Sequence, residues 1–484
     1  MNATGGTDVS VRGRARTRRV LVARLDSMGD VIVSGPAIRA IAARARVTLL
    51  TGPQGAAAGE LLPGVEDVAV WECPWILDPA PRMSDGLVSR LTEIVQSRQL
   101  TEAVILTSFH QSPLPLALLL RLAGVQWISG ASVDHAGSLL DFRLRPDEDL
   151  SEDVPEPQRA VAIAAGAGFP SVDDGRLRLG PLPDTSALTG AGRYIVLHPG
   201  AAMPSRRWPI RSFARTAALL AVAGKRVVVT GGTADRAAAA AVCAAAERAA
   251  TTGTADGAGE LRAVGDRGRF DRLSDRATAG DQATTGDRGA AGVAVNLAGA
   301  CSLAELAGVI AGADAIIVGN TGPAHLAAAV GTPVVSLFSP VVPAERWAPY
   351  GVPVALFGDQ QAACRGSRAR ACPVAGHPCL AGVPAEEVAA AAIRFADAST
   401  AQPAGPGTHE AEPLRIPDAA ATRTAAPGTP APVTPIADAP SATGLTPPGA
   451  TPHRTGPASP SAIAGPSTRI ENARPRTPER TVAL

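Results

Sequence analysis

Residues suited to phosphate binding lie where a buried strand gives way to a helix. Residues 315–319 are apolar and predict a parallel strand, and residues 320–322 predict a tight turn. Pro323 suits the first turn of the helix that follows. The N-terminus of this helix offers free N–H groups and partial positive charge, which favour a phosphate. The alternative is an ordinary β–α–β crossover in which His325 is a structural residue.

A carboxylate follows the first predicted strand. Residues 19–24 predict that strand, residues 26–30 a loop and residues 31–43 a helix. Asp30 therefore lies at or just before a helix N-terminus, where one interpretation is an N-cap. The other is a general base that faces a cleft.

A third polar segment, residues 198–209, follows a strand at 194–197 and precedes a helix at 210–223. Its small residues allow close approach of the backbone to a ligand. Arg206 and Arg207 supply the positive charge that a diphosphate requires. The alternative is a solvated pair of arginines beside a packed tryptophan.

Composition narrows the class of protein. The 484 residues are 46% hydrophobic and 18% charged, with a net charge of +1, so no basic footprint for nucleic acid is present. The longest apolar run, 114–125, is shorter than a membrane span. Six cysteines are few for this length and predict a reduced, cytoplasmic protein. Neither a Walker A motif nor GxGxxG follows the first strand, which argues against kinases and ordinary dehydrogenases.

Strands and helices alternate in both halves of the chain. Further strands are predicted at 47–50, 67–70, 103–106, 126–129, 226–230, 293–297 and 334–338, and further helices at 87–96, 115–122, 235–249, 303–311 and 384–396. This alternation predicts an α/β fold with two doubly wound parallel sheets. Ligands bind at the carboxyl edges of such sheets, so the three polar segments are expected to line one cleft.

The domain organisation follows from shifts in composition. We predict a disordered basic leader at 1–17, an N-terminal domain at 18–185 and a C-terminal domain at 186–399, joined by a segment rich in Pro and Gly near 170–190. A flexible insertion is expected at about 251–290. The tail at 400–484 is rich in Pro, Ala and Thr, cannot bury a core and should be disordered.

Three motifs in order resemble glycosyltransferase family 9, the heptosyltransferases of lipopolysaccharide cores, over about residues 18–396. They are RLDSMGD at 24–30, HPG at 198–200 with SRRWP at 205–209, and NTGPAH at 320–325; WAPYG at 347–351 is also similar. The resemblance implies a GT-B fold, in which two Rossmann-like domains face each other across a cleft. It also implies inverting transfer from a nucleotide-diphospho-sugar, typically ADP-heptose.

The resemblance implies roles for individual residues. Asp30 matches the catalytic base, and Arg206 matches a lysine that contacts phosphate. The implied donor-binding residues are Gly200, Ala201, Ala202, Ser205, Arg206, Cys301, Asn320, Thr321, Gly322 and His325, and the acceptor-side residues are Ser27, Met28 and Gly29. Asn320 departs from the family's Asp, the usual contact to the hydroxyls of the donor, which leaves the exact donor sugar open.

Three cysteines near the C-terminal end of the second domain leave two interpretations open. Cys364, Cys372 and Cys379, with His377, invite a structural zinc site. Their spacing differs from a tight CxxC pair, so the alternative is a plain loop at the edge of the cleft.

These observations predict an inverting glycosyltransferase that moves a heptose-like sugar from a nucleotide-diphospho-sugar to a hydroxyl of a glycan or glycolipid. No cofactor and no metal is expected, because no DxD-like motif is evident in the cleft loops. Nucleic acid is not an expected partner, whereas peripheral contact with the inner face of a membrane through the N-terminal side is. The alternatives are a nucleotide-sugar epimerase of similar architecture and a non-catalytic nucleotide-sugar-binding protein, although binding alone needs no base at Asp30.

Overall fold

The computed structural model describes residues 18–255 and 292–401, which form two parallel β-sheets covered by helices. The predicted leader at 1–17, nearly all of the predicted insertion and nearly all of the predicted tail lie outside the described residues. Within the described residues, no helix is both long and apolar enough to cross a bilayer.

The first half of the described chain supplies one six-stranded sheet. Its strands are β1 (Arg19–Ala23), β2 (Arg46–Thr51), β3 (Val65–Val70), β4 (Glu102–Ile105), β5 (Trp127–Ala131) and β6 (Phe142–Leu144). Its helices are α1 (Met28–Val33), α2 (Gly35–Ala42), α3 (Ala56–Glu60), α4 (Asp85–Ser97), α5 (Leu114–Leu122) and α6 (Glu156–Gly166). The strands pair in the order β3-β2-β1-β4-β5-β6, and every pair is parallel.

The second half repeats this arrangement. Its strands are β7 (Ile195–His198), β8 (Val227–Val229), β9 (Ala294–Asn296), β10 (Ala315–Gly319), β11 (Val334–Leu337) and β12 (Val354–Phe357). Its helices are α7 (Ser186–Thr189), α8 (Ile210–Val222), α9 (Arg236–Thr252), α10 (Leu303–Ala311), α11 (Gly322–Val330), α12 (Ala344–Trp347), α13 (Pro378–Ala381) and α14 (Ala385–Ala401). The order β12-β11-β10-β7-β8-β9 has the same topology as the first sheet.

Both sheets therefore have the strand order of a Rossmann fold, and the predicted doubly wound α/β class is confirmed. In this order the chain reverses direction across the sheet between β1 and β4 and between β7 and β10. Ligands bind beyond the carboxyl ends of the strands at such a switch point. Each of the three polar segments follows one of these strands.

The predicted single helix at 31–43 is wrong. Ser27 has an extended backbone and starts α1 at Met28, so Asp30 is the third residue of a helix rather than a residue before it. The helix then breaks at Ser34, because Pro36 in the first turn of α2 has no N–H to continue the ladder.

Besides the one-turn helices α7, α12 and α13, four elements were not predicted: β6, β12, α3 and α6. The two strands are short and lie at sheet edges, where their side chains are partly exposed and the apolar signal is weak. The two helices are rich in alanine, which gives little contrast between a buried and an exposed face.

The carboxyl edges of the two sheets meet where α1 packs against α11. A Cβ atom on Gly29 would lie 3.0 Å from Cδ2 of His325 and 3.3 Å from Cα of Gly322. A Cβ atom on Gly322 would collide with the methyl group of Met28. The two helices therefore approach as closely as they do because glycine occupies both positions.

We predict that Gly29→Val lowers the melting temperature by a few degrees, because the added methyl groups must displace backbone at Gly322, a cost of about 1–3 kcal/mol. The matched control is Gly86→Ala in α4, where the nearest atom to a new Cβ is 3.8 Å away. That change should leave the melting temperature equal or slightly higher. Circular dichroism melts measure both variants, and a wild-type melt for Gly29→Val would contradict the close packing.

Candidate active site

A buried arginine at the carboxyl end of β1 faces three carboxylates. Arg24 is 1% exposed, and its Nη2 donates to Oδ1 of Asp30 at 3.0 Å and to Oγ of Ser108 at 2.8 Å. Its Nε forms an ion pair with Oδ2 of Asp26 at 3.1 Å, outside hydrogen-bonding geometry. Its Nη1 lies 3.5 Å from Oε2 of Glu156. One guanidinium thus joins groups from the loop after β1, α1, α6 and the loop after β4.

The Asp30 carboxylate is held from both sides. Its Oδ2 accepts the backbone N–H of Ser27 at 3.0 Å and the Ser27 hydroxyl at 2.6 Å, while Oδ1 accepts Arg24. Ser27 is the N-cap of α1, so Asp30 forms the reciprocal arm of a capping box. Burial disfavours its charge, but the charge of Arg24 and the hydrogen bonds from Ser27 and Arg24 prevail and lower the pKa of Asp30. Asp30 is therefore ionised at neutral pH.

The pKa values of the two other carboxylates around Arg24 are raised, whereas that of Asp30 is lowered. Burial raises the pKa of Asp26, against the charge of Arg24 and a hydrogen bond from Gln111, and the nearby charge of Asp30 adds to the rise. Burial also raises the pKa of Glu156, against the charges of its arginine neighbours. The surroundings therefore favour negative charge on Asp30 over both neighbours.

Arg206 lies on the opposite wall of the cleft, at the end of a single 3-10 turn, Pro204–Arg206. Its Nη1 donates to the backbone oxygen of Asn320 at 3.0 Å. Its Nε is buried and has no hydrogen-bond partner in the described part of the chain. Burial lowers the pKa of Arg206, and the charge of Asp30 acts against this shift, so the two charged groups lie within electrostatic range of each other.

His325 and the first turn of α11 complete that wall. Burial lowers the pKa of His325 to about 4, with the charge of Asp30 opposing, so the imidazole is neutral at pH 7. Its Nδ1 is buried without a partner within the described ranges, and its ring meets Trp347 edge-on at 6.3 Å. Thr321 is the N-cap of α11, and Pro323 in the first turn lacks an N–H. This helix end therefore presents fewer free donors than expected.

Two predicted donor-binding side chains are held by the protein's own backbone. Nδ2 of Asn320 donates to the oxygen of Ser339 at 3.0 Å, and the Ser339 N–H donates to Oδ1 of Asn320 at 3.3 Å. Oγ of Ser205 donates to the oxygen of Ala369 at 2.6 Å. Both side chains tie neighbouring loops together at the edge of the second sheet.

The remaining predicted donor residues also lie along that edge. Gly200 follows β7, where a Cβ atom would collide with the Asp235 carboxylate. The Ala201 oxygen accepts Nε of Arg207 at 2.8 Å, and Ala202 is exposed. Cys301 is half-buried just before α10, and burial raises the pKa of its thiol.

On the acceptor side, Ser27 is exposed, Met28 is half-buried and Gly29 is buried against α11. The structure thus brings Gly29 of the first half into contact with Gly322 and His325 of the second half.

The three C-terminal cysteines lie close together. Cys364 and Cys379 are buried, and burial together with the two other thiols raises the pKa of Cys379 to about 11. Nε2 of His377 lies 3.0 Å from the oxygen of Ser205, at the other side of this loop. Among the described residues, no three His, Cys, Asp or Glu side chains have an arrangement that could hold a metal ion.

Four charged residues on or beside α6 were missed by sequence reasoning: Glu152, Glu156, Arg159 and Arg346. Glu156 and Arg159 lie on α6, which was not predicted. The sequence did contain a signal for the start of this helix. Pro155 precedes the helix, and Glu156 and Pro157 occupy its first turn, where an acidic residue and a proline are both favoured.

A sequence profile decides the family. The profile of glycosyltransferase family 9 (heptosyltransferase) matches residues 110–259 and 275–376, just over half of the chain. The chain belongs to glycosyltransferase family 9. The predicted family is confirmed, and the protein is a glycosyltransferase. The matched ranges include Arg206 and the 320–325 motif, whereas the 24–30 motif lies before them.

Solved structures share the fold of this glycosyltransferase. The E. coli ADP-heptose lps heptosyltransferase II is 18% identical, with a TM-score of 0.54 over 79% of this chain and 99% of that chain. A family 9 glycosyl transferase from Veillonella parvula DSM 2008 is 14% identical, with a TM-score of 0.56 over 79% of this chain and 98% of that chain. E. coli heptosyltransferase WaaC with ADP is 16% identical, with a TM-score of 0.52 over 78% and 99%. These similarities confirm the GT-B fold, and no curated protein matches the sequence.

We predict that Arg24→Met destabilises this glycosyltransferase by about 3–5 kcal/mol, because three buried carboxylates lose their shared cation. The loss should shrink between about pH 7 and about pH 5, since protonation relieves the unpaired carboxylates of the variant. In the wild type, Asp30 has a lowered pKa, so its contribution is present above the unfolded pKa and lost only as pH falls through the folded pKa.

Thermal melts across this pH range measure the loss, with Arg24→Lys as the control that keeps the charge without the planar fork and should lose less. A gap between wild type and Arg24→Met that does not change with pH would contradict the charge-sharing account.

Proposed function

We propose that the protein is an inverting glycosyltransferase that moves a heptose-like sugar from a nucleotide-diphospho-sugar to a hydroxyl of a glycan or glycolipid. ADP-heptose is the proposed donor for two reasons. The description of the family names heptosyltransferases, and the name of the similar E. coli enzyme includes ADP-heptose. Family membership sets aside the epimerase and non-catalytic alternatives.

The observation that carries the proposal is that an anionic and a cationic side chain from the two halves lie within electrostatic range of each other, where α1 packs against α11. Arg206 is a partly buried cation whose Nε is buried and has no hydrogen-bond partner among the described residues, and it lies within electrostatic range of the ionised Asp30. A buried cationic donor without a partner is costly unless an anion pairs with it. A diphosphate supplies that anion and would place the anomeric carbon of the sugar between Arg206 and Asp30.

Within residues 18–255 and 292–401, the hydrogen bonds of Asp30 leave room for one more partner. A carboxylate offers about four acceptor positions, and Ser27 fills two on Oδ2 while Arg24 fills one on Oδ1. The free position on Oδ1 can accept the hydroxyl of an acceptor sugar. We therefore assign Oδ1 as the atom that receives the proton.

The proposed step forms one bond and breaks another at the same carbon. The acceptor oxygen attacks the anomeric carbon, the bond from that carbon to the phosphate oxygen breaks, and the electron pair leaves with the nucleotide diphosphate. The hydroxyl proton passes to Asp30. A carboxylate with a lowered pKa is a weak base, but the acceptor hydroxyl becomes strongly acidic as its oxygen bonds to carbon. Attack from the side opposite the leaving group inverts the anomeric centre.

Arg206 is proposed to stabilise the departing diphosphate, together with the neutral imidazole of His325 as a hydrogen-bonding group. The first half of the chain, proposed as the acceptor domain 18–185, supplies Asp30. The second half, proposed as the donor domain 186–399, supplies Arg206 and His325.

Arg206→Ala should weaken binding of ADP and ADP-heptose by about 1.5–3 kcal/mol, or roughly 10- to 150-fold, because it removes a charge-assisted contact to the diphosphate. Isothermal titration measures the affinity. Arg206→Lys should restore most of it. Arg207→Ala is the matched control, since the exposed Arg207 donates to the Ala201 oxygen instead. Unchanged affinity in Arg206→Ala would place the diphosphate elsewhere.

Asp30→Asn should lower turnover by about 100-fold or more, because an amide cannot take the proton of the acceptor. It should also lower stability, because an amide nitrogen would face either Arg24 or Ser27 as a second donor. Ser27→Ala is therefore the stability control: it weakens the same capping box but keeps the carboxylate, so turnover should fall far less. Release of ADP from ADP-heptose is the readout, beside a thermal melt. Near-equal turnover of Asp30→Asn and Ser27→Ala would rule out Asp30 as the base.

A further inference from the structure

An alternating series of charged side chains runs from Asp30 to the second half of the chain. Asp30 pairs with Arg24 at 3.0 Å, and Nη1 of Arg24 lies 3.5 Å from Glu156. On α6, one helical turn separates Glu156 from Arg159, whose Nε pairs with Glu152 at 3.0 Å. The series continues from Glu152 into the second half of the chain.

The residue of the second half that contacts Glu152 is Arg346 of α12. Its Nη1 lies 3.4 Å from Oε2 of Glu152 and its Nη2 lies 3.2 Å from Oδ1 of Asp153. Its guanidinium carbon sits 3.9 Å above the ring of Phe109. The side chain is 11% exposed, so this cation of the second half is largely buried against the first half.

We propose that Arg346 is a positioning residue for Asp30: by docking on Glu152 it fixes Arg159, whose charge lies one helical turn from Glu156, and so leaves Arg24 available to Asp30. This inference rests on the proposed role of Asp30 as the base. It makes closure of the two halves a condition for a correctly held carboxylate.

Burial gives the series its stiffness. Arg24, Glu156 and Arg159 are each 1–2% exposed, so water cannot replace a lost partner. Oε1 of Glu156 already lacks a hydrogen-bond partner within the described residues. Its charge therefore depends on the two arginines beside it, and each arginine is shared with another carboxylate.

Removal of Arg346 changes how the charges of Arg159 and Arg24 are shared among the carboxylates, and each change leaves less positive charge for Asp30. Glu152 would then rely on Arg159 alone, which draws Arg159 away from Glu156. Glu156 in turn would rely more on Arg24, and less of the charge of Arg24 would remain on Asp30. The lost positive charge acts in the same sense at longer range, so both effects raise the pKa of Asp30.

Other charged and titratable groups also face Asp30 and set the background against which this change acts. They are Arg24 and Asp26 from the end of β1, Glu156 from α6, His110 from the loop after β4, and Arg206 and His325 from the second half. None of these groups is altered by a substitution at Arg346. A change at Asp30 therefore comes from the series and from the longer-range loss of charge, and hydrogen exchange, which reports local opening, detects the part that passes along the series.

Hydrogen exchange of the full, substrate-free chain tests the coupling without any assumption about the donor. Arg346→Ala should speed exchange several-fold in peptides from α6 and also in peptides that cover residues 24–34, which Arg346 does not touch. Arg346→Lys should have a smaller effect. The control is Arg394→Ala, an exposed cation of α14, which should change neither region. Faster exchange confined to the neighbours of Arg346 would overturn the proposal.

The pH dependence of ADP release from ADP-heptose tests the consequence for Asp30. In Arg346→Ala the acid limb of kcat should move up by about half a pH unit, while the KM for the donor changes little. If the KM changes while the acid limb of kcat stays where it is in the wild type, Arg346 only holds the two halves together, and the proposal is overturned. If the wild type does not use ADP-heptose, the proposal of that donor is wrong. The hydrogen-exchange result then still decides whether Arg346 is coupled to residues 24–34. If Arg346→Ala does not fold, Arg346→Gln takes its place in both measurements.

Discussion

The structure of the cleft depends on one buried cation shared by three carboxylates. Arg24 is almost fully desolvated, and its three nitrogen atoms face Asp30, Asp26 and Glu156. A single positive charge cannot neutralise three negative ones, so the carboxylates compete for it. Asp30 prevails because it alone also has two hydrogen bonds from Ser27, which favour its ionised form. The capping box of α1 therefore selects the carboxylate that stays charged.

The contact between α1 and α11 brings the ionised Asp30 close to charged and polar groups of the second half. Small residues let two helix starts meet, and apolar side chains from both halves, such as Val31 and Leu326, join one continuous core cluster beside them. The contact brings Asp30 within electrostatic reach of Arg206. Because the two charges belong to separate halves of the described chain, a substrate held between them as proposed would be contacted by both halves. The proposed chemistry thus requires the interface as much as either sheet.

Much of the fold could be predicted from the sequence, because buried parallel strands such as β1 and β10 are short apolar runs at regular intervals. The family motifs also led to the prediction that Asp30 and Arg206 line one cleft. What could not be predicted are the pairings between distant positions. Glu156 lies on an alanine-rich helix with little periodicity, and nothing local indicates that it packs against Arg24. The start of α1 at Met28 was missed because Asp30 contributes to the cap from inside the helix.

The departure at Asn320 has a physical explanation in the same terms. Its amide donates to the Ser339 oxygen and accepts from the Ser339 N–H, so it satisfies both backbone groups. A carboxylate there would accept from the N–H but would face the carbonyl oxygen without a hydrogen. It would also add a negative charge beside Arg206, which already binds the backbone oxygen of this residue. With an amide at 320, the charge of Arg206 remains available for an anion in the cleft, and contacts to the hydroxyls of a donor sugar must come from other side chains.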